Sequence, residues 1–263
     1  MKAVAKKPAM NKTAHPQLLL TKPAFVCLAD DTLVFLDLHN DKYSCLERQH
    51  TKPIANLLGL PAPSTEELAS DDTAPLSDST DTSSRGVRDI VQNLIDSGLA
   101  TRDPNEGKPA EFITQKSELR EMLGYNIGDS PKIRPGHLFN FFRSLIVTKS
   151  LLRFASMEHI VTRVRRRRKR NHARGRAEPN TERINELVEI YKILKPLFVT
   201  VKDECLFNSL FLIEFLACYR VYPNWYFGVR LNEFYAHCWV QKGDVIYDDF
   251  IQSTCQNQPI MAV

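Results

Sequence analysis

The 263-residue chain has no C-x-x-C pair, and its six cysteines, at 27, 45, 205, 218, 238 and 255, are too scattered for a disulfide framework or a structural zinc site. Free thiols in a reducing compartment follow, and the cytoplasm is the expected location. No apolar run reaches the roughly 20 residues of a membrane-spanning helix. The opening MKAVAKKPAMNKTAHPQLLL has only three consecutive leucines where a signal peptide needs a longer apolar stretch. A G-x-x-x-x-G-K-[ST] phosphate loop is also missing, so no cofactor is expected on this chain. Charge of one sign is not in excess: 35 basic residues face 31 acidic ones, a net +4 that points to neither nucleic acid nor a membrane. The uneven feature is the run RRRRKR at 165–170. With no aromatic residues interleaved and no nucleic-acid fold around it, it reads first as a solvated loop or frayed helix end, and second as a dock for an acidic peptide or partner.

Forty-three per cent hydrophobic content is enough for a proper core. Residues 1–22 show no periodicity and read as a flexible tail. In FVCLADDTLVFLDLHNDKYSCLE, apolar runs at 24–29, 33–38 and 42–46 alternate with Asp-rich and Asn-rich turns, which predicts a three-stranded meander. Three strands cannot bury a face alone, so helices in HTKPIANLLGL and RGVRDIVQNLIDSGLA are expected to cover one side. Between them a Ser/Thr/Asp-rich segment, 64–84, reads as a long loop. A Pro- and Gly-bearing linker with one short helix at 115–124 follows. HLFNFFRSLIVTKSLLRFASMEHIVTRV predicts one long helix, NTERINELVEIYKILKPLF an amphipathic helix opened by Asn180 or Thr181, and DECLFNSLFLIEFLACYRV an apolar helix. WYFGVRL and YAHCWVQ read as strands, and the second pairs with DVIYDDF across Lys-Gly-Asp in a hairpin over 235–250.

A catalytic thiol must be held as thiolate, and an unassisted cysteine is only a few per cent ionised at pH 7. Cys205 is placed for assistance: Asp203 is positioned to cap the helix that begins at Leu206, with the sulfur at the positive end of its dipole. His237 lies on a predicted strand and Asp249 twelve residues on, at the end of the next one. Antiparallel pairing brings such residues within reach, so the acid can fix the imidazole tautomer while the imidazole takes the thiol proton. Asp248 is the rival acid. Taken singly, a cysteine in an apolar helix is a small core residue and a strand histidine is structural; the argument rests on the set. Cys218 and Cys238 read as core or surface thiols.

These residues carry a resemblance. ECLFNSLFLIEFLACYRVYPNWYFGVRLNEFYAHCWVQKGDVIYDD resembles the transglutaminase-like leader-peptidase domain of lasso-peptide biosynthesis B proteins. The shared features are Cys-Leu followed by a helix serine, a run ending Gly-Val-Arg, and Phe-Tyr-small-His-small-Trp-Val, with an aspartate closing the hairpin. FVCLADDTLVFLDLHNDKYSCLE is similar to the start of the leader-recognition domain that precedes the peptidase in many of these proteins. Together the likenesses span 23–103 and 137–253.

The resemblance implies an α+β chain. An N-terminal three-stranded sheet with helices, winged-helix-like and peptide-recognising, would occupy 23–105, and a papain/transglutaminase-like domain 135–263, joined by a linker at 106–134. It implies Cys205 as nucleophile, His237 as general base and acid, and Asp249 as the orienting group. The leader segment of a precursor peptide would add to the sheet edge at Lys42, Tyr43, Ser44, Cys45 and Leu46, near Val91 and Leu94 of the following helix. The implied partner is an asparagine-synthetase-like lasso cyclase, to which any ATP dependence would belong. Acyl transfer of the transglutaminase type, and a non-catalytic scaffold for the cyclase, are the alternatives. The chain departs from the family pattern in its long 64–84 segment, in Gln241 where an acidic residue is expected, and in the basic run.

Overall fold

A computed structural model describes residues 17–61, 80–114, 118–122, 131–175, 177–199 and 205–263, with backbone alone at 80–84. In chain order its elements are β1 (Leu19–Thr21), β2 (Ala24–Ala29), β3 (Thr32–Asp37), β4 (Lys42–Cys45), α1 (Arg48–Leu57), α2 (Thr80–Asp96), β5 (Ala100–Thr101), β6 (Gly107–Lys108) and β7 (Arg120–Glu121). Then follow α3 (Pro135–Phe154), α4 (Met157–Ala173), α5 (Thr181–Phe198), α6 (Cys205–Ala217), β8 (Asn224–Arg230), β9 (Tyr235–Lys242), β10 (Val245–Ile246), α7 (Ile251–Cys255) and β11 (Gln258–Ala262). The fold is mixed α+β, with small sheets and helices in front and a five-stranded sheet behind.

The expected meander is present as β2–β3–β4, fully antiparallel. Its first turn is tight because Asp30 and Asp31 both adopt positive φ (45° and 57°), which short Asx side chains tolerate. At the second turn, Asp37 Oδ1 accepts from the backbone N–H of His39 and Asn40 at 2.9 and 3.2 Å. Both faces of this sheet are covered, where the sequence pattern suggested one. Ala24, Val26, Leu33 and Phe35 join Ile54, Ala55, Val91 and Leu94 in a front core. Cys27, Val34, Leu36 and Leu38, on the opposite face, belong to the same core as Phe211, Trp225 and Met261 of the rear part. AFVCLA and TLVFLD carry almost no polar residues at alternate positions, as strands buried on both sides require.

Other expectations change. Residues 1–16 of the expected tail lie outside the described residues, but Leu19–Thr21 form β1, which pairs with β5 and β6. Most of segment 64–84 also lies outside them, and α2 already begins at Thr80. Of the expected helix at 115–124, residues 118–122 alone are described, and Arg120–Glu121 form β7, parallel to β10 at the edge of the rear sheet. The single long helix divides at Ala155–Ser156. Ser156 is an N-cap whose hydroxyl accepts from His159 N at 3.3 Å, and it starts α4 as a new helix.

The rear sheet has the order β11–β8–β9–β10–β7 and packs against α6, which α3 and α5 cover. The α5 helix opens on Asn180, whose side chain accepts from Arg183 N at 3.0 Å. The hairpin β9–β10 turns through Gly243 at φ 64°, but β10 is only two residues long. The irregular stretch after it carries Asp248 and Asp249 back toward β9.

The basic run is neither a loop nor a frayed end. It lies inside α4 and splays three ways. Arg165 sits over the ring of Phe25 on β2, 5.3 Å from its centroid, with Lys108 Nζ at 3.5 Å from the same ring. Arg167 donates to buried Glu214 at 2.9 and 3.0 Å. Arg168 donates to Asn224 Oδ1 and to the carbonyl of Val263. Among the described residues no helix is long and apolar enough to cross a membrane.

Candidate active site

Cys205 is the first residue of α6, and residues 200–204, including the expected cap Asp203, lie outside the described residues. Its neighbours are set by the packing of α6 on β9. Ser209, one turn on and fully buried, donates to the carbonyl of Cys205 at 2.7 Å, accepts from Trp225 Nε1 at 2.9 Å, and lies 3.3 Å from Cys238 Sγ. One serine thereby ties the helix start to β8 and β9.

His237 sits mid-strand on β9, opposite Gly228 of β8. Side chains two apart share a strand face, and the imidazole lies between the rings of Tyr235 and Trp239, with centroids 5.8 and 6.2 Å away and both planes within 21°. Trp239 is held in turn by Tyr226, stacked at 5.5 Å, and by Gln241, whose Oε1 accepts its indole N–H at 3.1 Å. Gln241 is buried and also donates to the carbonyl of Gly243 at 2.9 Å. The residue that departs from the expected acid therefore braces the ring stack. Gly228 is needed for closeness: a Cβ there would lie 3.0 Å from Trp239 and 3.1 Å from both Asn257 and the Gln258 carbonyl.

The imidazole Nε2 and Asp249 Oδ2 are 2.6 Å apart, and the same oxygen accepts from Thr254 Oγ1 at 3.3 Å. Asp248 points elsewhere, accepting the backbone N–H of Val240 at 2.7 Å. It completes the β9 ladder where β10 has ended. Burial raises its carboxyl to about 7, against the lowering effect of that N–H. Between the two candidate acids, geometry puts Asp249 on the histidine and Asp248 in the sheet.

The other imidazole nitrogen, Nδ1, is buried with no hydrogen-bond partner among the described residues, and Cys205 and His237 line one cavity. The Cys205 thiol is brought from 9.0 down to about 4. The Cys238 thiol beside it is the largest cause, burial opposes, and His237 contributes next. Burial works to lower His237, but Asp249 and Cys205 outweigh it and raise the imidazole to about 9. Burial drives Cys238 itself far upward, so it remains a thiol and donates. These shifts favour thiolate on Cys205 and imidazolium on His237 at neutral pH, a pairing able to attack a carbonyl carbon and then protonate a leaving group.

The cavity beside the pair, about 140 Å³, is walled on the rear side by Met157, Leu206, Phe227, Ala236 and Met261. Leu36 of β3, Tyr43 of β4, and Leu38 and Asp41 from the turn between them wall the front side. Phe234, in the β8–β9 connection, meets the Tyr43 ring edge-on at 5.6 Å.

Among the other residues singled out for leader binding, Lys42, Ser44 and Cys45 are exposed on β4. No strand pairs with its outer edge among the described residues. Leu46 donates its N–H to the Leu33 carbonyl at 2.9 Å. Val91 and Leu94, each 7% exposed, are placed in the front core instead of on a docking surface, because α2 turns that face toward α1. Cys238, Ser209, Tyr235, Trp239 and Thr254 were not singled out from the sequence. The two aromatic residues follow from period-two alternation around His237, whereas Cys238 and Ser209 meet only through the packing of α6 on β9.

A cysteine on a helix start, with a histidine and an acid on adjoining sheet segments, is the arrangement that α+β thiol enzymes of the papain and transglutaminase type share. Residues 144–262 match the transglutaminase-like superfamily, and this rear part is a transglutaminase-like domain. Neither a curated protein nor a solved structure matches the chain.

Proposed function

We propose that the chain is a cytoplasmic cysteine peptidase that removes the leader segment of a lasso-peptide precursor, leaving the core for macrolactam closure by an asparagine-synthetase-like partner cyclase. The observation that carries the peptidase reading is the Cys205–His237–Asp249 alignment at the mouth of an apolar cavity. The leader adds to the outer edge of β4 through backbone hydrogen bonds at Lys42–Cys45. Tyr43 is shared between that strand and the cavity, so a peptide on this edge passes within reach of the thiolate.

The Cys205 thiolate attacks the scissile carbonyl and forms the C–S bond. Imidazolium His237 then protonates the departing amine as the C–N bond breaks, leaving a leader thioester. Neutral His237 next takes a proton from water, whose oxygen attacks the thioester; the C–S bond breaks, the leader acid leaves and releases its proton to solvent, and the thiolate and imidazolium are restored. Asp249 holds the ring throughout. Nucleotide use, if the reaction has it, belongs to the cyclase.

The test is to incubate the chain with a precursor peptide and weigh the products. A free leader, formed by the wild type and lost with Cys205→Ala while leader binding persists, is expected. A leader–amine adduct would assign acyl transfer instead. Cleavage retained by Cys205→Ala would overturn the assignment of the nucleophile.

A further inference from the structure

The basic run leaves behind a feature that neither the fold nor the thiol chemistry uses. Arg163, Arg166, Arg167 and Arg170 fall along one face of α4, and Arg174 is its C-cap. With Arg220 from the far side they make six of the ten residues lining a concave pocket of about 410 Å³. No Asp or Glu is among those ten. A buried carboxylate beneath, Glu214, is 4% exposed, and its Oε2 takes Arg167 at 2.9 Å and Arg163 at 3.5 Å, fixing the pocket floor; Glu178 accepts the backbone N–H of Tyr222, at 3.3 Å. Arg166 and Arg170 make no ion pair among the described residues, and the Nε of Arg163 is buried without a partner.

A second, independent feature lies on the opposite wall. The end of α6 is a Schellman turn, with Val221 N–H on the Leu216 carbonyl at 3.1 Å and Arg220 N–H on the Ala217 carbonyl at 3.2 Å. The left-handed position of such a turn favours glycine, yet here it is Arg220, at φ 63°. A bulky residue at positive φ costs conformational energy, and such cost is concentrated at ligand sites. Here it places a sixth guanidinium across from the α4 row.

We infer that this pocket, formed by the α4 arginine face and Arg220, binds a small ligand carrying two or more phosphate groups. Guanidinium forks match phosphate oxygens two at a time and keep their charge at any physiological pH. Six of them lining one pocket, with no acid among the lining residues, repel one another until an anion enters. The enclosed volume suits a small molecule. An acidic protein segment would need a wider surface, and Tyr222, also lining the pocket, bounds it.

The test is isothermal titration of the full-length chain with inorganic pyrophosphate at fixed ionic strength, with sodium chloride and a short polyglutamate peptide as comparisons. Binding at one site per chain is expected, weakened about tenfold or more in Arg166→Ala/Arg170→Ala, whose side chains are exposed and whose removal leaves the circular dichroism spectrum unchanged. Pyrophosphate acting no differently from chloride, tighter binding of polyglutamate, or undiminished binding by the double variant would each overturn the inference. None of these outcomes depends on the peptidase reading, since no substrate is cleaved in the measurement.

Discussion

Replacing the neighbours of Cys205 one at a time tests whether its sulfur is ionised in the resting protein. With the thiol at about 4 in place of 9.0, it is roughly nine-tenths thiolate at pH 5, whereas an ordinary thiol is ionised to about one part in 10⁴. A more acidic thiolate is a weaker nucleophile, which takes back roughly two powers of ten over that span. About a fiftyfold excess rate of alkylation therefore remains for Cys205 at pH 5. Iodoacetamide labelling from pH 3.5 to 9, read cysteine by cysteine with peptide mass spectrometry, measures both this ratio and the midpoint. Cys238→Ala should raise the midpoint most, because the Cys238 thiol is the largest influence, and His237→Ala should raise it next. The signs also fix the activity profile. Thiolate is present above about 4 and imidazolium below about 9, so kcat/KM should hold between those limits and fall outside them. A Cys205 labelling midpoint near 8 or 9 in the wild type would refute the ion pair.

The two adjacent aspartates should separate cleanly. Asp249→Asn removes the support of the imidazolium and is expected to lower kcat/KM on the order of 10² to 10⁴ with urea stability kept. Asp248→Ala strands the Val240 N–H inside the sheet and should cost about 1–3 kcal/mol of unfolding free energy; the reverse pattern would exchange their assignments. Gly228→Ala, whose methyl would press on Trp239 and the Gln258 carbonyl, should destabilise by about 1–3 kcal/mol and disturb the stack on His237. An unchanged melting temperature would show that the neighbours give way freely.

The candidate set of Cys205, His237 and Asp249 was legible in the sequence because each lies in a locally readable setting, a helix start and a hairpin. The sequence did not show which aspartate faces the histidine, since that depends on β10 ending after two residues and Asp248 taking over the ladder. Strands β1 and β7 pair over long sequence separations, and in segments this short no alternation accumulates to announce them. The break at Ser156 went unread because apolar residues continue on both sides of it. The arginine run misled because its counter-ion, Glu214, is 47 residues from Arg167 in sequence. Nothing local distinguishes arginines that will be tied down from arginines that stay in water.

The meander's position between the front and rear cores makes it a party wall. One face of it belongs to the front core and the other to the rear core, and Leu36, Leu38 and Tyr43 line the same cavity as Cys205. Severing the chain after the front part would strip apolar lining from both fragments at once. A substitution in β3 that reshapes the front core will therefore register in the wall of that cavity as well.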